Sequence, residues 1–387
     1  MANQFVTMLA LTAFALAAAA VFYVYVGYPV LLAAIAAFRK RPRPEPAACT
    51  PSVSVLIAAY NEEAGIRRKL DQTLALEYPA GKLEVVVVSD GSTDRTEEIV
   101  AAYPDPRVRL LRVARSGKTE AQNRAVQACR NEIIVFSDAT TVYHRKALVY
   151  LACNYADSTV GAASGRYKYF DPDGDSPTGL GSVAFWNYEN FIKKLQAQIK
   201  TLTGCSGCIY SVRRDVYAPL PHDACSDLIE PLYVVDQGYR VAFEDRALAY
   251  EETTKSTGDE FAMRVRVATQ GMQGILSVRH LKKLWSDPWV AFQLISHKIL
   301  RWLVPVFLAV VFASTLALLG RPEFRLLLGL QLGFYGIALV TVLAPLHRHF
   351  KLLGVPLYFC TLNAAVLLGM REVVRGRGYA VWETVRR

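Results

Sequence analysis

Three short polar segments follow apolar runs in the first half of the chain. They lie at residues 60–62, 89–94 and 137–140, and each carries a carboxylate or an amide side chain. Carboxylates accept hydrogen bonds from N–H and hydroxyl groups, and they also ligate hard divalent cations. If the fold brings the three segments together, they form a ligand site with both kinds of chemistry.

Four nearly continuous apolar runs predict the strands that would carry these segments. Runs of this kind are typical of strands that are buried on both faces of a sheet. They lie at residues 53–59, 83–88, 108–113 and 132–136.

Helices are predicted between the strands, at about residues 95–102 and 119–129. A further helix is expected after the first strand, with Asn61 as its cap and Glu62 and Glu63 in its first turn. Strands that alternate with helices predict a doubly wound, mainly parallel α/β sheet. Such sheets bind ligands at the carboxyl ends of their strands, where the three polar segments lie.

Six motifs occur in the order found in glycosyltransferase family 2, and the chain resembles that family over about residues 51–252. The resemblance implies a Rossmann-like catalytic domain of GT-A fold that uses a nucleotide-sugar donor. One such motif is weak, but six in sequence are specific. They are AAYNEE (58–63), SDGSTD (89–94), SGKTEAQNRA (116–125), FSDATT (136–141), TGCSGCIYSVRRD (203–215) and SDLIEPLYVVDQGYR (226–240).

The resemblance implies that the donor contacts Tyr60, Glu62, Asp90, Lys118 and Asp138. Asp90 matches the family acid that contacts the base or ribose. Lys118 matches a position near the diphosphate, where an ammonium group suits a phosphate. Both residues also have a structural interpretation, Asp90 in a turn before glycine and Lys118 as a solvated lysine at a helix start.

A divalent metal, Mg²⁺ or Mn²⁺, is implied as the cofactor, with Asp138 and Thr140 as its ligands. Asp138 matches the first acid of the family's DxD motif. Thr140 stands where the second acid is usual, and a hydroxyl is a weaker ligand than a carboxylate. The alternative interpretation is that Asp138 merely caps the segment that follows it.

Asp227 matches the family acid that deprotonates the acceptor hydroxyl, and it is the predicted catalytic base. Inverting transfer needs one base aligned opposite the leaving nucleotide. Asp223 is the competing assignment, because Ser226 replaces the acid that usually precedes the base.

Acceptor contacts are predicted for Gly204, Gly207 and Arg214, the two glycines forming a loop that lets a ligand approach closely. The tract at residues 264–271 takes the place of a diphosphate-contacting motif. It lacks the Arg-Trp ending of processive cellulose and hyaluronan synthases, which argues against a chain-extruding polymerase.

The ends of the chain are apolar enough to enter a membrane, which takes about 20 apolar residues per helix. Residues 1–40 are predicted to anchor a catalytic domain at 41–284, followed by an interfacial amphipathic helix at 285–302 and by transmembrane helices and a basic tail at 303–387. Basic residues directly after the first segment place the catalytic domain in the cytoplasm. Candidate spans are 5–38, 303–319, 326–343 and 352–370.

The predicted membrane topology leaves two alternatives. One crossing before the domain and three after it would put the arginine-rich tail outside, against the positive-inside rule. Either the segment at 352–370 is re-entrant, or the first segment breaks at Gly27-Tyr28-Pro29.

The predicted function is inverting transfer of one sugar, by default from a UDP-sugar, to a lipid-linked or growing glycan. It would occur at the cytoplasmic face of the inner or plasma membrane, during envelope polysaccharide synthesis. Membrane lipids and other envelope-assembly proteins are the expected further partners. The net charge of +10 is explained by topology and anionic lipid rather than by nucleic acid. A processive synthase and an inactive scaffold subunit remain as alternatives.

Overall fold

A computed structural model describes residues 2–39, 45, 50–170, 179–252, 257–344 and 350–378. Its centre is one eight-stranded sheet with the order β3-β2-β1-β4-β7-β6-β8-β5. The strands are β1 (Val53–Ala59), β2 (Leu83–Asp90), β3 (Val108–Val113), β4 (Ile133–Asp138), β5 (Val142–Tyr143), β6 (Val160–Phe170), β7 (Ile209–Arg213) and β8 (Arg240–Glu252).

The first four strands are parallel neighbours, and β7 then joins β4 in the antiparallel direction. Strand β1 is buried along its whole length, with alternate residues facing two separate apolar cores. Val53, Val55 and Ile57 face one core, whereas Leu56 and Ala58 face the other. The continuous apolar run is therefore the sequence signature of a strand covered by helices on both faces.

Ten α-helices of the described chain lie between β1 and the last two apolar helices. They are α3 (Ile66–Leu74), α4 (Thr96–Ala101), α5 (Lys118–Ala128), α6 (Ala147–Cys153), α7 (Gly179–Ile199), α8 (Ser226–Asp236), α9 (Thr257–Ser277), α10 (Lys282–Ser286), α11 (Pro288–Leu294) and α12 (Leu300–Ala317). The remaining helices are α1 (Ala2–Phe22), α2 (Tyr28–Ala37), α13 (Pro322–Leu343) and α14 (Gly354–Val374).

The helix after β1 begins later than the sequence predicts. Helix α3 starts at Ile66 with Gly65 at its N-cap, so the prediction that Asn61 caps it was wrong. Asn61 instead adopts a left-handed backbone with φ of 54°, and its side-chain oxygen accepts a hydrogen bond from Thr93 N at 2.8 Å. The asparagine thus links the ends of β1 and β2 rather than starting a helix.

Four helical segments are long and apolar enough to cross a membrane: Gln4–Ala37, Pro288–Ala317, Pro322–Leu343 and Gly354–Val374. The first continues through the Gly27-Tyr28-Pro29 sequence by way of a π-helical turn at Tyr23–Gly27 and does not break there. The second joins α11 to α12 through another π turn, Ile295–Ile299, so the predicted boundary between residues 302 and 303 falls inside one helix.

The end of the first apolar helix docks on the catalytic domain. Tyr28, Leu32 and Ala36 of α2 form a buried cluster with Ile192 and Leu195 of α7. A hydrogen bond of 2.8 Å between the hydroxyls of Tyr23 and Ser296 joins the two π turns. The first apolar helix and the domain that carries the sheet are therefore parts of one packed structure.

Candidate active site

A cavity of about 1250 Å³ opens at the carboxyl ends of β1 and β4 and reaches the apolar helices. Most of the predicted site residues share it. Those lining it are Glu62, Lys118, Asp138, Thr140, Gly204, Gly207 and Asp227, whereas Tyr60, Asp90 and Arg214 lie outside its lining.

Asp90 is fully buried at the end of β2, where its carboxylate holds the loop before α5. One oxygen accepts from Arg115 Nη1 at 2.6 Å, and the other accepts from Ser116 N at 2.7 Å. The Arg115 guanidinium lies 3.4 Å from the centre of the Tyr60 ring. Asp90 and Tyr60 therefore position the loop that leads to Lys118, and their direct contact with a nucleotide stays a prediction.

Lys118 lies between two acids of the cavity. Its ammonium group forms an ion pair with Oδ1 of Asp138. Burial lowers the pKa of Lys118, but Asp138 and Asp227 outweigh that effect, so the pKa is raised above its usual value. A lysine held charged beside two carboxylates suits a site for a diphosphate.

A second lysine, which sequence reasoning did not identify, lies beneath the turn that follows β4. Lys69 is 3% exposed, and its ammonium group donates to Ser137 Oγ at 2.7 Å and to the Thr141 carbonyl oxygen at 2.6 Å. Burial lowers its pKa to about 8, although Asp138 acts in the opposite direction. Lys69 thereby fixes the backbone on which Asp138 and Thr140 stand.

The oxygen atoms of that turn fit a hard divalent cation. Asp138 offers a carboxylate to the cavity, and the Thr140 hydroxyl donates a hydrogen bond of 2.9 Å to Oε1 of Glu251. Within the described ranges, no three His, Cys, Asp or Glu side chains converge on one point. Mg²⁺ in phosphate sites commonly takes one or two carboxylates and completes its shell with phosphate oxygens and water. The donor set therefore suits a cation that binds together with a diphosphate.

Asp227 lies in the first turn of α8 and faces the cavity. Its backbone carbonyl accepts a hydrogen bond from Cys205 N at 2.7 Å. A Cβ atom on Gly207 would lie 3.0 Å from Oδ2 of Asp227, so a larger residue there would displace the carboxylate. Asp223, the competing assignment, lies outside the cavity lining.

Comparison with known proteins agrees with this geometry. The family model described as glycosyl transferase family 2 matches residues 54–220, the region that carries strands β1 to β7 and part of the cavity lining. Residues 54–220 form a glycosyltransferase family 2 domain.

Curated relatives of this chain include a probable glycosyltransferase, YdaM, of Bacillus subtilis, which is 28% identical over 56% of this chain and 54% of its own length. An N-acetylglucosaminyltransferase of Neorhizobium galegae is 26% identical over 57% of this chain and 55% of its own length. A poly-beta-1,6-N-acetyl-D-glucosamine synthase of Staphylococcus epidermidis is 26% identical over 58% of this chain and 55% of its own length. The chain spans about half the length of these relatives.

The fold is that of a solved mannosyltransferase from Pyrobaculum calidifontis, PcManGT, whose structure contains GDP-Man and Mn²⁺. The two superpose with a TM-score of 0.71 at 23% identity, covering 94% of this chain and 99% of the other. The GT-A fold and the accompanying apolar helices are therefore confirmed.

Among the predicted acceptor contacts, the two glycines and Arg214 have different positions. A Cβ atom on Gly204 would lie 3.4 Å from the Leu228 side chain and 3.7 Å from Lys298 Cε, inside the cavity. Arg214 is exposed just after β7, beside the amino end of β4, because β7 runs antiparallel to β4. This is the edge of the sheet opposite the cavity, so Arg214 is left out of the proposal below.

Two further basic residues complete the cavity. Lys193 of α7 is 3% exposed and donates to the Cys205 carbonyl and to Ser206 Oγ, both at 2.9 Å, which holds the glycine loop. Arg266 of α9 lines the cavity, where burial lowers its pKa and Cys225 and Asp138 act to raise it. Of these two residues, only Arg266 lies in a segment that the sequence analysis had singled out, at residues 264–271.

The cavity ends in a charged mouth beside the π turns. Glu189 of α7 is 4% exposed, forms an ion pair with Arg301 and lies 3.3 Å from Nε2 of His297. Lys298 also lines the cavity and is half-buried. Phe359 of α14 belongs to the same lining, so the mouth combines basic and apolar surface.

Proposed function

We propose that the chain is an inverting glycosyltransferase that moves a sugar from a nucleotide-sugar donor to the hydroxyl of a membrane-associated acceptor. The observation that carries this is a single cavity that holds Asp227 and Asp138 at one end and opens beside apolar helices at the other. UDP-N-acetylglucosamine is the first donor to test, because two of the relatives described above are named for N-acetylglucosamine transfer.

The residues of the cavity divide the reaction between them. Lys118 and Arg266 bind the diphosphate, and Asp138 and Thr140 hold Mg²⁺ or Mn²⁺. The cation, when bound, neutralises charge on the departing diphosphate. Asp227 takes the proton of the acceptor hydroxyl. The acceptor oxygen bonds to the anomeric carbon while the bond from that carbon to the diphosphate breaks, which inverts the configuration and releases the nucleoside diphosphate.

The acceptor is proposed to be a lipid-linked or growing glycan that enters through the charged mouth. Lys298 and Arg301 present positive charge there, and Phe359 presents an apolar surface. The basic side chains suit an anionic headgroup, and the apolar surface suits the hydrocarbon chain that follows it. Transfer then takes place at the cytoplasmic face of the membrane, where nucleotide sugars are made.

A processive synthase is the second candidate, and the Staphylococcus epidermidis relative named as a synthase favours it. Product length separates the two functions. One added sugar per acceptor supports single transfer, whereas a ladder of products from one acceptor supports processive synthesis.

The first experiment measures nucleoside diphosphate release by purified protein in nanodiscs. UDP-, GDP- and TDP-sugars are supplied with Mn²⁺ or Mg²⁺ and a lipid extract as acceptor. Turnover of one donor is expected, and Asp227→Asn should lower kcat by about 10² to 10⁴, the usual contribution of a general base.

Asp223→Asn is the matched control, because Asp223 lies four positions earlier but outside the cavity lining. Its kcat should match that of the unaltered protein. Loss of turnover in Asp223→Asn but not in Asp227→Asn would reverse the assignment of the base. A protein that neither binds nor turns over any of the donors would be the inactive scaffold.

A further inference from the structure

The hydrogen bond from Thr140 to Glu251 joins the predicted metal motif to a distant strand. Glu251 lies near the end of β8 and is 4% exposed, although it lines the cavity. Its Oε1 accepts from the Thr140 hydroxyl at 2.9 Å, and its Oε2 accepts from the hydroxyl of Tyr167 on β6. A carboxylate is thus held directly behind the residue that replaces the usual second acid.

Strand pairing fixes this contact. Strand β5 directly follows the 138–141 turn and pairs antiparallel with β8, with Val142 opposite Tyr250 and Tyr143 opposite Ala249. Continuing that register places the end of the turn beside Glu251. The two buried residues that directly precede Glu251 on its face of β8 are Ala247 and Ala249, so a glutamate ends a short apolar stretch. Burying a carboxylate is costly unless it is compensated, which indicates a specific role for it.

Without Glu251, the metal motif would bring less negative charge to a cation than the usual pair of acids. A DxD motif brings two negative charges to the cation, but Asp138 and Thr140 bring only one. A hydroxyl that donates a hydrogen bond to a carboxylate keeps the lone pairs of its oxygen available for a cation. The carboxylate also raises the electron density on that oxygen, as outer-sphere carboxylates do for metal-bound ligands.

We propose that Glu251 is a positioning residue of the divalent cation site and supplies the second negative charge through the Thr140 hydroxyl. Tyr167 holds the other carboxylate oxygen, so the Thr140 hydroxyl is oriented before any ligand arrives. Glu251 thereby takes over the role that the second acid of the motif would have at position 140. This inference rests on the proposed function only in its use of a divalent cation.

Cation binding, measured apart from sugar transfer, tests this role. Mn²⁺ is titrated into detergent-purified protein, and bound metal is counted from the loss of the free-ion EPR signal. Titrations are run with Mn²⁺ alone and with UDP or GDP present. Glu251→Gln keeps the size of the side chain and removes its charge, and it should weaken Mn²⁺ binding by about 10- to 100-fold.

Glu98→Gln is the control, because Glu98 is an exposed glutamate of α4 that lies outside the cavity lining. Its Mn²⁺ affinity should equal that of the unaltered protein. A second variant, Thr140→Asp combined with Glu251→Gln, returns the charge to position 140. It should recover most of the lost affinity, which a purely structural role of Glu251 does not predict.

The outcomes separate this inference from the proposed function. Unchanged Mn²⁺ affinity in Glu251→Gln, or no recovery in a folded double variant, overturns the role of Glu251 and leaves sugar transfer intact. An unaltered protein that binds no Mn²⁺ in any of the titrations overturns the cation site itself, including Glu251. Nucleotide release from the donor panel then decides separately whether sugar transfer stands.

Discussion

At the scale of single residues, the cavity floor is built from charges that hold one another in place. Lys118 stands between Asp138 and Asp227, and Lys69 lies below the turn that carries Asp138. Removing one of these groups leaves an opposite charge without its partner in a partly buried site, which costs more than losing a fully exposed ion pair. The charged groups of the cavity are thus held in place by one another before any ligand binds.

Lys69 gives a prediction for pH. Its pKa is about 8 in the folded protein against 10.5 for an ordinary lysine. Below pH 8 both folded and unfolded chains carry the proton. Between about pH 8 and 10.5 only the unfolded chain binds it, so raising the pH through this window favours the folded state.

The prediction compares the unaltered protein with Lys69→Met by thermal unfolding in detergent across that window. The stability of the unaltered protein should increase relative to the variant as the pH rises from 8 to 10. Parallel pH profiles for the two proteins would mean that Lys69 titrates normally. Lys82→Met, at an exposed lysine that contacts the Thr50 carbonyl, is the control and should show no such divergence.

At the scale of elements, the sequence predicted those features that depend on neighbouring residues in the chain, such as the positions of strands. The apolar runs predicted β1 and β3 with the observed bounds. The runs for β2 and β4 lacked the last two residues of each strand, and the run for β4 also began one residue early. The prediction that Asn61 caps a helix was wrong because the same asparagine side chain suits both a helix cap and a left-handed turn.

Longer-range features were beyond the sequence. The position of Arg214 depends on the antiparallel direction of β7, which residue spacing does not reveal. Glu251 meets Thr140 only because β5 pairs with β8, and the two residues are 111 positions apart in the chain. Lys69 and Lys193 look like ordinary helix-surface lysines until the sheet packs against them. Most of the predicted site residues therefore line the cavity, but the sequence did not predict the charged residues behind that lining.

The docking of α2 on α7 gives a prediction at the element scale. Leu32 is fully buried in the cluster with Ile192 and Leu195. Leu32→Ala should lower the free energy of unfolding by about 2–5 kcal/mol, the usual cost of a large-to-small change in a packed core. Its neighbour Leu31 is 40% exposed, so Leu31→Ala should be nearly neutral. Equal thermal midpoints for both variants in detergent would show that α2 does not stabilise the domain.

At the scale of the whole molecule, α14 has two possible positions relative to the bilayer, and its packing favours one. It lies along α9 for nearly its whole length: Tyr358 Oη accepts from Arg264 at 2.8 Å, and Gln273 donates to the Arg377 carbonyl at 3.0 Å. A Cβ atom on Gly369 would lie 3.1 Å from Ala268 Cβ. Helix α9 carries several charged residues and is not among the candidate spans. Packing along this charged helix favours the re-entrant alternative for α14, although α14 also contacts the apolar helix α13.

This arrangement predicts three crossings, with the basic tail on the same side as the catalytic domain, as the positive-inside rule requires. Alkaline phosphatase inserted at Gly320, between α12 and α13, should be active because that turn faces outward. The same reporter fused after Arg387 should be inactive, and a fluorescent protein there should fold. Active phosphatase at the C-terminus would show that α14 spans the membrane.

The paired π turns at Tyr23–Gly27 and Ile295–Ile299 make helical phase part of how the anchor and the catalytic domain fit together. A π turn holds one residue more than an α turn, so everything beyond it is rotated by about 100° from where a regular helix would point it. Deleting one residue from the first turn would regularise that helix and swing Tyr28 and Leu32 away from α7. Deleting one from the second would turn Arg301 away from Glu189. If the sequence of a related chain lacks one residue at either π turn, the helix beyond that turn should be rotated against the catalytic domain rather than merely shortened.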